Sequence, residues 1–497
     1  MSTKYHTPLI LALDIGTSST RAILFDGTGT TIDGMSSQHT YPLQTSVAGE
    51  ASVDADTLVG VVAQTITEVL QKAGTQAKEI AAVAMDTFWH SLLGVDASNR
   101  PVTPVITWED TRPFSAAMEL RQQLNEKSTH DRVGVRFHAS YWPAKLRWLH
   151  KEQPELFQKV TQWISFGEYL HRCFLGRSIC SLSMASATGL LNSSTQQWDH
   201  ELTDFLELHD KQLPELGDSH DGLTGLTGSY ASSWPVLHQV PWYPALGDGA
   251  TACIGSGCAT PTNWSLTMGT SSAIRVVGVA TNVVPPLGLW RYLVDARRPV
   301  IGGALSEGGN LIAWMDNSLQ LPPIKEIEPL IKDLAPDSHG LTILPFLSGE
   351  RSLGWHADAR MTVAGISNHT TPAELMRAGM EALGYRLYTI HEELRSLLTM
   401  GLTDHKLIAS GGALLSSPTL QGIVADTLNT AIYPSIEHEA SARGAALLAL
   451  EALGVIKDVA EIAPTIHEPV QPNANRTALY QKAAARQQQL YQLLLPA

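Results

Sequence analysis

The chain has 497 residues, 44% of them apolar, enough for two substantial cores and too many for one ordinary compact domain. Forty-eight acidic against 34 basic residues give a net charge of -14, and the Lys and Arg are scattered. That leaves no basic stripe for nucleic acid or anionic lipid and points to a small soluble partner. The four cysteines lack C-x-x-C spacing and no apolar run is long enough to cross a bilayer, so a disulfide framework, a zinc site and a membrane span are all excluded and a cytoplasmic setting is expected.

Residues 9–13 and 21–25 are short Leu/Ile/Ala-rich runs joined by Gly16 and a Thr/Ser cluster in "LDIGTSST", which predicts a strand hairpin with a polar glycine turn. Residues 54–72 carry apolar side chains at helical spacing behind an Asp able to cap them, and residues 80–85 read as a buried strand. "MDTFWHSLLGVD" and "ITWEDTR" follow. "LGDGATACIGSG" then sets Asp248 between two glycines at the start of a helix, where Asp is either a displayed carboxylate or an ordinary N-cap.

Gly, Ser, Thr and Pro accumulate over residues 255–263, and beyond them the order recurs: a strand, the turn "LTMGTSSA", a second strand "AIRVVGV". A strand "LTILPFL", a helix from 372, the strand and glycine pair of "KLIASGGALL", and a C-terminal helix over 479–497 complete the second half. The repetition predicts two α/β lobes from an internal duplication, residues 1–258 and 259–497.

A Gly-Thr-Ser turn is common as a solvated tight turn. It also exposes successive N–H groups and hydroxyls toward one point, as an anionic phosphate requires. Two facing copies, Gly16, Thr17 and Ser18 in one lobe and Gly269, Thr270 and Ser271 in the other, can grip a polyphosphate between them. Asp14 precedes the first turn where the second has Thr267, and one carboxylate suits one Mg²⁺ held largely through water. Gly411, Gly412 and Ala413 permit close backbone approach to a flat ring such as adenine.

The set "LALDIGTSSTRAILFD", "GDGATACIGSG", "LTMGTSSA", "SGERSLGWHADAR", "SGGALLSSPTLQGIVADTLN" and "EASARGAALLAL", in this order over nearly the whole chain, resembles the FGGY carbohydrate kinases. The resemblance implies an actin-like ATPase fold of two RNase H-like lobes that close on ATP, Mg²⁺ and a sugar or polyol in the cleft between them. Sugar, first phosphate hairpin and base would fall to the N-terminal lobe, second hairpin and adenosine segment to the C-terminal one. It gives Asp248 the role of general base, Asp14 with Asp248 the metal, the two turns the phosphates, and Gly411 to Ala413 the adenosine.

For the acceptor, His90 matches the histidine that faces the sugar in xylulokinases, and Trp108, Asp110 and Arg112 match the family's Trp, Asp and Arg. Asp110 and Arg112 are open to a second reading as a loop-fixing pair, and Tyr141 and Trp142 either stack on the sugar or pack under a helix. The phrasing "WHSLLGVD" with "PVTPVITWEDTR" looks most like gluconokinases, and a gluconate carboxylate needs a cation, for which Arg112 or Lys145 is available. Trp89 departs from the family pattern beside the sugar, which leaves xylulose, ribulose and glycerol open as acceptors. A nucleotide-driven switch of the actin or Hsp70 type shares the fold and is the competing class. Family members are often homodimers, although no long exposed apolar run marks such a face.

Overall fold

The computed structural model describes residues 5–322, 324–398 and 404–495; residues 1–4, 323, 399–403 and 496–497, including the end of the expected C-terminal helix, lie outside the described residues. In the first lobe, β1 (Leu9–Ile15) pairs antiparallel with β2 (Ser19–Phe25), and β2 with β3 (Thr31–Thr40). On the other side of β1 runs β4 (Ile80–Thr87), parallel to it, and then the two-residue β5 (Leu246–Gly247). The resulting order is β3-β2-β1-β4-β5. β1 is covered on both faces, so its sequence is an unbroken apolar run up to Asp14 rather than an alternating one.

Between β3 and β4 stands α1 (Ala55–Ala73). Its cap is the expected one: the Asp54 carboxylate accepts the Thr57 N–H at 2.8 Å, and Leu58, Val62, Ile66 and Val69 form the buried stripe. Directly after β5 comes α2 (Asp248–Gly255).

The second lobe repeats the plan. β6 (Asn263–Met268) turns into antiparallel β7 (Ser272–Val277), and β8 (Trp290–Leu293) and β9 (Pro299–Leu305) extend that side. α3 (Gly309–Leu319) and α4 (Pro372–Leu398) follow, and β10 (Lys406–Ser410) then lies parallel to β6 with β11 (Ile432–Pro434) beyond it. The order β8-β9-β7-β6-β10-β11 is that of the first sheet with one edge strand added. The expected strand "LTILPFL" is only Thr342–Leu344, and it pairs with Thr362–Ala364 in a separate ribbon rather than joining the main sheet.

The lobes meet through a helix crossing. α5 (Pro418–Leu428) stays with the second lobe, whereas α6 (Ala440–Ala452) returns to pack on α2, β1 and β4 of the first. Glycines set how close the two helices come: a Cβ on Gly255 would sit 1.9 Å from the Ala440 carbonyl oxygen, and one on Gly444 would sit 1.9 Å from that of Thr251. This contact fixes α2, and with it Asp248, against the second lobe. The terminal α7 (Ala474–Leu494) buries Tyr480, Ala483 and Ala484 in the second core. No helix among the described residues is long and apolar enough to cross a membrane.

Candidate active site

Three carboxylates converge where β1, β4 and β5 end. Asp14 is the register partner of Asp86, and Asp86 is paired on its other side with Leu246, two residues before Asp248. Asp86 is fully buried, and neither carboxyl oxygen has a hydrogen-bond donor among the described residues. Burial, then the charges of Asp14 and Asp248, push its carboxyl far above the ordinary range. Asp14 is raised too, by burial, with Arg21 opposing from 3.6 Å; Arg21 is shared with Glu439 at 3.0 Å.

Asp248 is not an N-cap. The cap position belongs to Gly247, and among the described residues the Asp248 carboxylate accepts the next N–H, that of Gly249, at 2.6 Å. Burial lifts Asp248 to about 6, with the Arg275 charge partly opposing. Asp14 and Asp248, both expected at the metal, offer the hard oxygen donors that Mg²⁺ takes.

The two glycine turns face each other across one cavity of about 1060 Å³, whose walls include Thr17 and Ser18 from the first lobe and Thr270 and Ser271 from the second. In the first turn the Gly16 N–H reaches the Ser19 carbonyl at 2.9 Å; in the second the Gly269 N–H reaches that of Ser271 at 3.0 Å, so the second turn is one residue tighter. Gly411 adopts φ +93, and a Cβ there would press to 2.4 Å on the Met268 carbonyl, which brings the Gly411 to Ala413 segment against the second turn. Gly308 and Gly309, at the N-terminus of α3, close the same corner: the Gly309 N–H binds the Gly269 carbonyl at 2.7 Å. Around Gly269 and Gly412 there is open space. The Thr and Ser residues of two facing turns are what a polyphosphate binds, while the first N–H groups of α3 are already taken by Gly269, Thr270 and the Asn310 side chain.

On the acceptor side, the Trp108 indole N–H donates to Thr17 Oγ1 at 3.0 Å, and Trp108 lines the cavity. His90 is not on the cavity wall; it is 5% exposed at φ 67, with Nδ1 2.6 Å from the Ala187 carbonyl. Burial keeps His90 neutral, and its Nε2 has no protein partner among the described residues. Tyr141 and Trp142 are packed: Tyr141 Oη meets Tyr292 Oη at 2.7 Å, and the Trp142 N–H binds the Ser91 carbonyl at 2.9 Å.

Asp110 and Arg112 form the loop-fixing pair. Arg112 reaches both Asp110 oxygens, with its Nη2 at 2.6 Å, while its guanidinium lies 4.7 Å over Trp148; Asp110 also accepts the Ala51 N–H at 3.1 Å. Arg112 is absent from the cavity wall. Lys145 is fully buried under the His90 carbonyl at 2.6 Å, and burial lowers it to about 7. Neither expected cation therefore presents itself to a bound carboxylate.

Arg351 does. It lines the cavity from the second lobe, 5.6 Å over the Trp108 ring, and its charge reaches His90, His138 and Asp248. Neither Arg351 nor Arg275, the other cation beside Asp248, has an ion pair among the described residues, and the Nε of each is buried without an acceptor. Trp89, which looked like a sugar-facing departure, instead lies under Asp248: a Cβ on Gly247 would sit 1.7 Å from its indole nitrogen.

Sequence reasoning missed Asp86, Arg275, Arg351 and the Gly308-Gly309 pair. Asp86 and Arg351 stood inside quoted motifs, and the signal in each was a charge within an otherwise apolar or turn-forming stretch.

A model of the "FGGY family of carbohydrate kinases, N-terminal domain" matches residues 9–255, and its C-terminal counterpart matches residues 264–453. A gluconokinase of Bacillus subtilis (strain 168) is 25% identical over 484 residues, 94% of this chain and 93% of that one. The crystal structure of a gluconate kinase from Lactobacillus acidophilus is 26% identical and superposes with a TM-score of 0.91, covering 98% of both chains. That of a ligand-bound xylulose kinase from the same organism is 26% identical with a TM-score of 0.90, covering 98% of this chain and 99% of the other.

Proposed function

The chain belongs to the FGGY family of carbohydrate kinases, phosphotransferases with an alcohol acceptor on the actin-like ATPase fold, and from there we propose that it phosphorylates a small sugar acid, gluconate first, at the expense of ATP. The observation that carries the acid is Arg351, a cation without a carboxylate partner on the acceptor wall. An unpaired guanidinium held over a Trp face is poised for a planar anion.

The geometry supports a division of labour. Both hairpins would hold the phosphates, and Gly411 to Ala413 the adenosine. Asp14 and Asp248 would hold Mg²⁺, which when bound neutralises charge on the phosphates. Asp248 would take the acceptor hydroxyl proton late in the transfer, when alignment has done most of the catalytic work. Its environment suits that role, because a base near 6 is ionised at neutral pH yet still able to hold a proton. His90 Nε2 would bind an acceptor hydroxyl, and Trp108 would fix the hydroxyl end relative to the Thr17 turn.

A neutral ketose is the second reading, favoured by the near-equal likeness to the xylulose kinase structure. The test is ADP release with Mg-ATP against gluconate, other aldonates, xylulose, ribulose and glycerol. Preferential stimulation by aldonates supports the proposal. Stimulation by a neutral sugar alone transfers the site to the second reading.

A further inference from the structure

We propose that His138 is a further acceptor-binding residue, whose Nε2–H donates to the same acid end of the acceptor that Arg351 holds, so that each lobe supplies one donor. The inference rests on the reading of Arg351 as the carboxylate partner and deepens it.

Neighbouring hydrogen bonds decide which ring nitrogen carries the proton. Ser140 is 4% exposed, and its backbone N–H has one acceptor among the described residues, His138 Nδ1 at 3.2 Å. The Ser140 hydroxyl sends its own proton to the Trp108 carbonyl at 2.8 Å. A proton on Nδ1 would strand the buried backbone N–H, which costs more than a contact to Ser140 Oγ at 3.1 Å returns. The proton therefore sits on Nε2, which has no protein partner among the described residues. His138 lines the cavity, and with Nδ1 turned to Ser140 the Nε2 edge is the one left to it. Enclosure in the cleft, with the Arg351 charge added, holds the ring neutral, its pKa lowered to about 3.

The fold sets this donor beside Arg351. Residues 351–355 form a turn in which the Trp355 N–H binds the Arg351 carbonyl at 2.8 Å, and the Trp355 ring meets the His138 ring edge-on at 5.3 Å. Two first-lobe arginines stitch the turn to the stretch that carries His138. Arg121 donates to the Phe137 carbonyl at 2.8 Å and reaches the Trp355 carbonyl at 3.4 Å, while Arg136 donates to the Gly354 carbonyl at 3.0 Å. Glu126 pairs with both arginines, at 3.1 and 2.6 Å. Trp108 ties the same two stretches from the cavity side: its ring lies under the Arg351 guanidinium, and its carbonyl holds Ser140. Most acids on this wall are spent or in solvent, since Glu50 and Asp110 are paired with Arg112, Glu350 is paired with Arg386 and Asp358 is exposed. Glu109 remains to accept hydroxyls of the same molecule. A carboxylate offers two oxygens, and a guanidinium with an adjacent N–H donor matches both.

The test is steady-state kinetics of the full chain with gluconate and Mg-ATP for wild type, His138→Gln, His138→Asn, Arg351→Ala, and His138→Asn combined with Arg351→Ala. Gln carries its amide nitrogen near the Nε2 position, whereas Asn keeps an acceptor for the Ser140 N–H and has no donor at Nε2. His138→Asn is expected to raise the gluconate KM at least about ten-fold, with kcat and the KM for ATP within about two-fold of wild type. His138→Gln is expected to stay within about three-fold of wild type in all three. Because both donors hold one carboxylate, the double variant should lose less than the product of the two single losses. A wild-type gluconate KM in His138→Asn, equal losses in the Asn and Gln variants, or losses that multiply in the double variant overturns the proposal. If His138→Asn does not fold, as thermal melting reports, His138→Leu takes its place against His138→Gln. Failure of the sugar-acid reading would look different: wild type itself would turn over a neutral sugar and no aldonate, whereas failure of this proposal alone leaves aldonate turnover intact in wild type.

Discussion

The indole N–H of Trp108 and the hydroxyl oxygen of Thr17 are 3.0 Å apart, which joins the acceptor wall to the first phosphate turn by one hydrogen bond. Replacing Trp108 by Phe keeps the ring and removes the donor. KM for acceptor and KM for ATP are expected to rise together, by a few-fold each, in steady-state kinetics with both substrates varied. A change in the acceptor KM alone would show that the bond does not couple the two.

Asp248 sets the pH dependence. Burial raises its carboxyl to about 6, so the base is lost to protonation as pH falls through that value. kcat/KM should therefore be flat above about pH 7 and fall roughly ten-fold per unit below about pH 5, since this ratio reports the free enzyme. A profile that stays flat down to pH 4.5 would exclude Asp248 as the titrating base.

Arg112 and Arg351 should separate cleanly. Arg112→Ala leaves Asp110, whose side chain is 0% exposed, without its cation, and breaking such a pair costs about 3 kcal/mol in stability, measurable by urea denaturation. Arg351→Ala removes no ion pair. It should leave the denaturation midpoint unchanged and raise the gluconate KM by at least about ten-fold, in line with loss of a charge-assisted contact of about 1.5 to 3 kcal/mol.

The duplicated hairpins, the capped α1, the glycine pair after β10 and the lobe order were legible because each depends on local pattern: short apolar runs, a cap, a turn. Pairings across the lobes were not. That Arg351 would stand over Trp108 depends on side chains more than 200 positions apart meeting in the cleft, whereas the pairing of Arg112 with Asp110 is local and was one of the two readings the sequence left open. Trp89 misled for the same reason, because its place under Gly247 is set by β5 returning to β4. Asp86 read as one more residue of a strand; only the register with Asp14 shows two acids side by side.

The helix crossing supplies a stability test remote from the chemistry. Gly444→Ala puts a methyl group 1.9 Å from the Thr251 carbonyl oxygen, which forces α6 away from α2. Overpacking of this kind costs about 1 to 3 kcal/mol. Because α2 begins with Asp248, kcat should fall as well, whereas Gly422→Ala on α5, with open space around it, should leave kcat unchanged and cost no stability, since Ala suits a helix interior better than Gly.

The central claim is phosphoryl transfer to a sugar-acid hydroxyl with Asp248 as base. The most direct measurement is ³¹P NMR of the product formed from Mg-ATP and gluconate by wild type and by Asp248→Asn. The account predicts a new phosphate monoester resonance coupled to a terminal CH₂ with wild type, and at least about a hundred-fold slower appearance with the variant. Inorganic phosphate as the sole product, or equal rates of ester formation by the two proteins, would contradict it.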